Sequence, residues 1–205
     1  KFLLENAVFV SIADMAEGLP EYTEYPLPVD MDAELNASYQ ELENNLRSLC
    51  SWGGGGGMKT MGALLQSLST YPDMPYNCVP IIHPDTADVL CTPRELDKGL
   101  RNKERALINL VKEKKAAGEK VLVYYEWTNK TDVASKLIDA LNEEGIKAVD
   151  LTSKVKAKNR ERWVEEQLAK NDIDVLMCNP NLVKTGLDLL DFTTIVFYQM
   201  RSEER

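Results

Sequence analysis

The stretch KVLVYYEWTNKTDVASKLIDALNEEGIKAVDLTS, Lys120 to Ser153, decides the fold. VLVYY (121–125) is an apolar run of strand length, too short for an ordinary helix. From about Lys130 to Glu144 the apolar residues recur at helical spacing. Gly145 then closes the helix, as a residue at home in the left-handed region does. IKAVDL (146–151) is a second apolar run. A strand, a helix and a strand joined this tightly form a right-handed βαβ unit, with two parallel strands and the helix lying on one face of their sheet.

The same rhythm continues on both sides. Upstream, ELDKGLRNKERALINLVKEKKAAG reads as an amphipathic helix closed by Gly118. Downstream come a helix from about Ala157 to Lys170, the strand DVLMC (174–178), a short helical turn with LVKTGLDLL, and the strand TIVFY (194–198). The expected architecture from residue 93 onward is a three-layer α/β domain, a parallel sheet covered on both faces. Residues 1–92 read differently. LPEYTEYPLPVDM has the alternation and prolines of an edge strand or extended arm. Asp32 caps the helix AELNASYQELENNLRSL, where Leu35, Tyr39, Leu42 and Leu46 fall on one face. MGALLQSLSTYP is a second short helix ended by Pro72, and Asp73 to Pro93 reads as a surface loop rich in turn formers. The chain divides into an arm (1–30), a helical insertion with a glycine linker and loop (31–92), and the α/β domain (93–205).

The formal charge of the 205 residues is −9, which argues against a protein that coats nucleic acid indiscriminately. The charge is unevenly spread: residues 1–93 hold 3 basic against 13 acidic side chains, residues 94–163 hold 17 against 12. Lys154, Lys156, Lys158, Arg160 and Arg162 crowd one short stretch of the middle part, either a solvated helix face or an electrostatic footprint. No apolar run approaches the ~18 residues of a membrane span. The opening FLLENAVFV is broken by Glu5 and Asn6 and lacks a basic leader, so no membrane association and a cytoplasmic location are expected. Cys50, Cys78, Cys91 and Cys178 are scattered without paired spacing, and Cys78, His83 and Cys91 match no metal motif, so reduced structural thiols are expected and no metal. The first residue is Lys1, not Met, as in a fragment.

In a parallel sheet of this kind ligands gather beyond the C-terminal strand ends. Those positions hold Glu126, Trp127 and Thr128, then Thr152 and Ser153, then Asn179 to Asp188, with Lys154 and Lys184 nearby. The set is rich in hydroxyls and amides but has no histidine, no cysteine beside a base and no carboxylate pair for acid and base exchange. Thr128, Ser153 and Thr185 can each donate to a phosphate oxygen, and Gly186 would admit a close backbone approach. Helix capping is the commoner job of any one such hydroxyl; three on successive strand ends favour a phosphate-holding surface.

With those residues in place, the run from KVLVYYEWT to TTIVFYQ resembles the second RecA-like lobe of superfamily 2 helicases and DNA translocases, nearest the Swi/Snf-type, DEAD/DEAH-annotated branch. VLVYYEWT resembles motif IV of that family, DLTS the strand-end segment after it, and NPNLVKTGLDL motif V. VFVSIADMAEGLPEYTEYPLPVDMDAELNASYQELENNL is similar to the segment leaving the first lobe. The resemblance implies that Thr128, Ser153 and Thr185, with Lys154 and Lys156 beside them, face one nucleic-acid strand. It implies that Gly186 and Asp188 belong to the motif V turn bordering the nucleotide. Lys103 falls where relatives place a lysine before the first strand of this lobe. Implied partners are nucleic acid, DNA favoured over RNA, and an N-terminal RecA-like lobe of the same polypeptide; the implied cofactors of the full-length enzyme are ATP and Mg, neither held tightly by this chain. Walker A, Walker B and motif VI are not found, and Arg201 and Arg205 follow Gln199 too soon for arginine fingers. The expectation is that this chain by itself contributes no catalytic residue and does not hydrolyse ATP. A non-catalytic RecA-like interaction module and the C-terminal lobe of a two-lobed glycosyltransferase share the strand and helix rhythm. NPNLVKTGLDL weighs against the glycosyltransferase, where a ribose-binding carboxylate and a glycine-rich diphosphate loop would be expected.

One motif competes with this reading. GGGGGMKT (53–60) has Lys59 and Thr60 in register with a Walker A loop, but Met58 stands where its second glycine belongs. It follows a helical pattern where a phosphate loop would follow a strand, so it reads as a flexible tether between two helices.

Overall fold

The structure is a computed structural model that describes residues 23–51, 57–83, 85–127, 133–184 and 186–199. Its elements are α1 (Ala33–Ser51), α2 (Gly57–Thr70), β1 (Ile81–Ile82), β2 (Val89–Cys91), α3 (Asn102–Ala116), β3 (Lys120–Tyr124), α4 (Val133–Glu143), β4 (Ala148–Leu151), α5 (Arg160–Glu166), β5 (Val175–Cys178) and β6 (Phe192–Phe197). The last four strands form one parallel sheet in the order β4-β5-β3-β6. β3 pairs on both sides, Val121 beside Val175 and Thr194, Tyr124 beside Cys178 and Phe197. This buried central place explains why its sequence is a continuous apolar run.

Alternation along the strands sorts the side chains into two layers. Val121, Val123, Val175 and Met177 meet Leu107, Ile108 and Val111 of α3 and Val133, Leu137 and Leu141 of α4. Leu122, Leu176 and Cys178 face the other way, with Leu151, Val164, Ile173 and Phe192. Gly118 and Gly145 lie just past the ends of α3 and α4 at φ +78° and +72°, as the sequence predicted. The second face is covered by a broken helix. The helix predicted for 157–170 is a 3-10 turn (Ala157–Asn159), then α5, then a π turn (Gln167–Asn171). It lies against Leu151, Ile173 and Leu176. Ile195 and Phe197, on the same face of β6 by their register with Leu122 and Tyr124, stay 53% and 58% exposed among the described residues.

The N-terminal part has a core of its own: Leu35, Leu42 and Leu46 of α1 against Leu64 of α2, Tyr71, Ile81 and Leu96. Asp32 caps α1, its Oδ1 accepting from Leu35 N at 3.0 Å. Three expectations change. Residues 23–32 form no strand, so of the predicted edge strand or extended arm only an irregular run appears, exposed from 23 to 30; residues 19–22 lie outside the described residues. The predicted surface loop 73–93 contains the antiparallel pair β1 and β2, and buries Asp73 and Met74. Finally, α3 begins at Asn102, not near Glu95. Asp97 Oδ1 accepts from Gly99 N at 2.6 Å in a local turn, and Arg101 is extended (φ −94°, ψ 172°) before the first helical turn. Glu104 completes the start, accepting from Arg101 N at 2.6 Å.

Lys59 and Thr60 lie in α2, and the segment before the glycines is α1, so helix precedes and follows GGGGGMKT. A phosphate loop needs a strand in front, whose end aims backbone N–H groups at the phosphates, and the Walker A reading is thereby excluded.

Candidate nucleic-acid interface

Because β4, β5 and β3 are neighbours in that order, the segments leaving them share one edge of the sheet. Beyond β4, Thr152 makes the turn: its carbonyl accepts from Val155 N at 3.1 Å and its Oγ1 from Lys154 N at 3.4 Å. Ser153 is exposed, and the next helical turn begins only at Ala157. Ser153 therefore does not cap a helix, and Thr152 performs the local bonding that would otherwise occupy it. Lys154 and Lys156 are exposed on the same loop, and among the described residues neither has an ion-pair partner. The rest of the basic run divides. Arg162 pairs with Glu166 at 3.0 Å on the surface. Arg160 turns inward, its Nε donating to Val155 O at 3.2 Å and its Nη1 to Leu182 O at 2.8 Å. It ties the loop after β4 to the turn after β5.

Beyond β5, Asn179 caps a 3-10 turn (Pro180–Leu182), its Oδ1 accepting from Asn181 N at 2.9 Å. Gly186 follows at φ +67°, with nothing within 4 Å of where a β carbon would stand. Its backbone is open to close approach, and any other residue there would be strained. Asp188 is exposed and accepts from Leu190 N at 3.1 Å, so its carboxylate shapes the turn. Of the five expected nucleic-acid contacts, Ser153, Lys154 and Lys156 come together on one exposed loop; Thr128 and Thr185 lie outside the described residues.

Beyond β3 the backbone is gripped from both sides. Gln199, at the end of β6, accepts with Oε1 from Glu126 N at 3.1 Å and Trp127 N at 3.0 Å. Asn179, at the end of β5, donates from Nδ2 to Glu126 O at 2.9 Å. Gln199 Nε2 donates to Asp73 Oδ2 at 2.6 Å, and Asp73 Oδ1 accepts from Lys103 Nζ at 2.7 Å. Lys103 Nζ also stands 4.3 Å from the centre of the Tyr198 ring. That is the place of the lysine whose position the sequence marked. Asp73 carried no local signal, since its partners stand 30 and 126 positions away.

The electrostatics of this edge run away from acid–base chemistry. Burial, with the Asp150 charge adding to it, pushes the Cys178 thiol up to about 12. Burial also raises the phenols of Tyr124 and Tyr198. Such groups stay protonated at neutral pH and serve neither as nucleophile nor as base. Cys78 and His83 have local roles as well. Cys78 Sγ donates to Pro75 O at 3.3 Å, and His83 Nδ1 accepts from Asp85 N and Thr86 N at 3.2 Å. Among the described residues no group of histidine, cysteine, aspartate and glutamate could hold a metal ion, and no helix is long and apolar enough to cross a membrane.

A four-stranded parallel sheet of order β4-β5-β3-β6, flanked by helices, defines an α/β RecA-like lobe. The chain belongs to the helicase conserved C-terminal domain family, whose model matches residues 102–205, just over half of it. The lobe is thus a helicase C-terminal lobe. Among solved structures it is similar to the crystal structure of the C-terminal part of the Fun30 ATPase domain, with a TM-score of 0.61 and 11% identity over 85% of this chain and 73% of that one. At that identity the likeness is one of fold. No curated protein matches the chain.

Proposed function

We propose that this chain is the second lobe of an ATP-dependent DNA translocase of the Swi/Snf-like branch, holding one nucleic-acid strand on the exits of β3, β4 and β5. The observation that carries the reading is the loop after β4, where Ser153, Lys154 and Lys156 are exposed while Thr152 and Arg160 take up the structural bonding. Hydroxyl and ammonium groups held at a fixed strand end suit phosphate oxygens, which position a strand without reading its sequence. On this reading residues 1–30 leave the first lobe, 31–92 are a helical insertion and 93–205 are the second lobe. The motif V resemblance and the likeness of VFVSIADMAEGLPEYTEYPLPVDMDAELNASYQELENNL to the segment leaving the first lobe support the branch.

The nucleotide would be shared. Gly186, open to a close approach, fits a site that a phosphate borders, with Asp188 shaping its turn. ATP with Mg, held mainly by the N-terminal lobe of the same polypeptide, would supply the free energy for movement along the strand. This chain alone does not hydrolyse it, and nucleic-acid-stimulated ATPase activity in the purified chain would refute that.

The test of the interface is the salt dependence of oligonucleotide binding, wild type against a Lys154→Glu, Lys156→Glu, Lys158→Glu triple variant. Each lost phosphate contact lowers the slope of log K against log salt by roughly 0.7 to 0.9. The triple variant is expected to bind more weakly with a slope smaller by about 2. Unchanged affinity and slope would make the stretch a solvated face.

A further inference from the structure

We infer that Asp73 and Gln199 are positioning residues: they form a polar clamp through which the segment after α2 sets the backbone leaving β3, and so the surface offered to nucleic acid. This rests on the interface proposed above. Gln199 is 8% exposed and Asp73 5%, so the bond between them is shielded from water. Gln199 spends its carbonyl oxygen on two successive backbone N–H groups, and its amide on Asp73. Asn179 holds the carbonyl of Glu126 from the opposite side. The Glu126 peptide is therefore fixed by side chains from the ends of both neighbouring strands.

Direction is built into the chain of bonds. Asp73 only accepts, from Lys103 on one oxygen and Gln199 on the other. That choice forces the Gln199 amide nitrogen toward Asp73 and its oxygen toward the strand end. Lys103 stands on α3, Asp73 follows α2, and Gln199 lies two residues past β6, so three separate parts of the chain agree on one backbone conformation. A leucine at 199 would fill the space but leave two N–H groups bare, a large cost at a buried site.

Isosteric swaps test the clamp. Gln199→Glu sets carboxylate against carboxylate where the 2.6 Å bond stood, and breaks it. Adding Asp73→Asn restores every partner with the polarity reversed. The amide at position 73 donates to the carboxylate at position 199, whose other oxygen accepts the same two N–H groups, and the amide oxygen at 73 remains for Lys103. Two readouts are needed: hydrogen exchange at the Glu126 and Trp127 amides without nucleic acid, and oligonucleotide affinity. Gln199→Glu is expected to speed exchange at those amides and weaken binding, each about tenfold, the loss of one buried hydrogen bond's worth. The double variant should return both toward wild type. Gln199→Glu with wild-type exchange and affinity overturns the clamp, as does a folded double variant that restores neither. If exchange follows the swap but the wild type binds no oligonucleotide, the nucleic-acid reading fails and the clamp stands.

Discussion

Lys136 offers the sharpest test of how this lobe is held together. It lies on α4 with 6% of its side chain exposed, and its Nζ reaches Glu104 Oε1 of α3 at 2.5 Å and Gly99 O at 2.9 Å. It also stands 4.7 Å from the centre of the Tyr76 ring. Glu104 is buried to the same degree, and its second oxygen accepts from Arg101 N at 2.6 Å. Lys136→Met keeps the length of the side chain but strands the Glu104 carboxylate in an apolar layer. Breaking one side of a buried pair costs roughly 3–5 kcal/mol, and the lost bond to Gly99 O adds to a total of about 4–6 kcal/mol. With a urea slope of about 2–3 kcal/mol/M, the midpoint should fall by about 2 M. Adding Glu104→Gln removes the stranded charge and should recover half or more of the loss, since a buried pair is worth little against neutral groups that pack as well. Equilibrium urea unfolding followed by circular dichroism measures both. A loss below about 1 kcal/mol for Lys136→Met, or a double variant no more stable than the single, would refute the assignment of the cost to a buried charge.

The other predictions concern the candidate interface. The Lys154, Lys156, Lys158 triple variant should flatten the salt dependence of binding, read by fluorescence anisotropy at several salt concentrations. The Asp73 and Gln199 swap should move amide exchange and affinity together. Arg160→Ala removes donors from Val155 O and Leu182 O, and should cost about 1–2 kcal/mol while speeding exchange in the loops after β4 and β5. Unchanged exchange there would show that Arg160 does not tie them. For Cys178 the folded-state value, raised from 9.0 to about 12, makes the protonated thiol the native form. Its contribution is complete below about pH 9 and is lost as pH rises toward 12, so wild type should lose stability faster than Cys178→Ala over that range. Equal slopes would contradict the sign. The same burial should keep the thiol unreactive toward a disulfide reagent at neutral pH until the protein unfolds.

The parallel lobe was legible because its determinants are local. VLVYY and DVLMC are short apolar runs, Gly118 and Gly145 close helices, and the spacing leaves room for little but βαβ units. What escaped was set by pairings across the chain. β1 and β2 are two and three residues long inside a proline-rich loop, with no alternation to announce them. α3 starts seven residues after the expected Glu95 because Gly99 and an extended Arg101 intervene, although Glu104 sits where a helix start would place it. The exposure of Ser153, Lys154 and Lys156 was legible from their place just past a strand end. Arg160 was not, because its charge resembled its neighbours' while its partners are backbone carbonyls.

The clamp and the buried pair share a logic that bears on how the two parts of the chain act together. The cores of the helical insertion and of the sheet are separate, one around Leu35, Leu42 and Leu64, the other around Val121, Val123 and Leu137. Met74 of the insertion packs into the core of the sheet, and beside it run polar ties. Arg101 reaches Asp32 at 3.3 Å and Glu34 at 2.9 Å, Lys103 reaches Asp73, and Asn102 Nδ2 reaches Asp30 O at 3.0 Å. An apolar seam would tolerate sliding by a residue or a rotamer at small cost, whereas directional bonds to single partners do not. A strain applied to the insertion would therefore reach the exit of β3 through Asp73 and Gln199 as a shift in position, and would not be absorbed by repacking. If the lobe keeps hold of a strand while a partner lobe moves, as proposed above, that stiffness at the strand ends is the property the sequence has to secure.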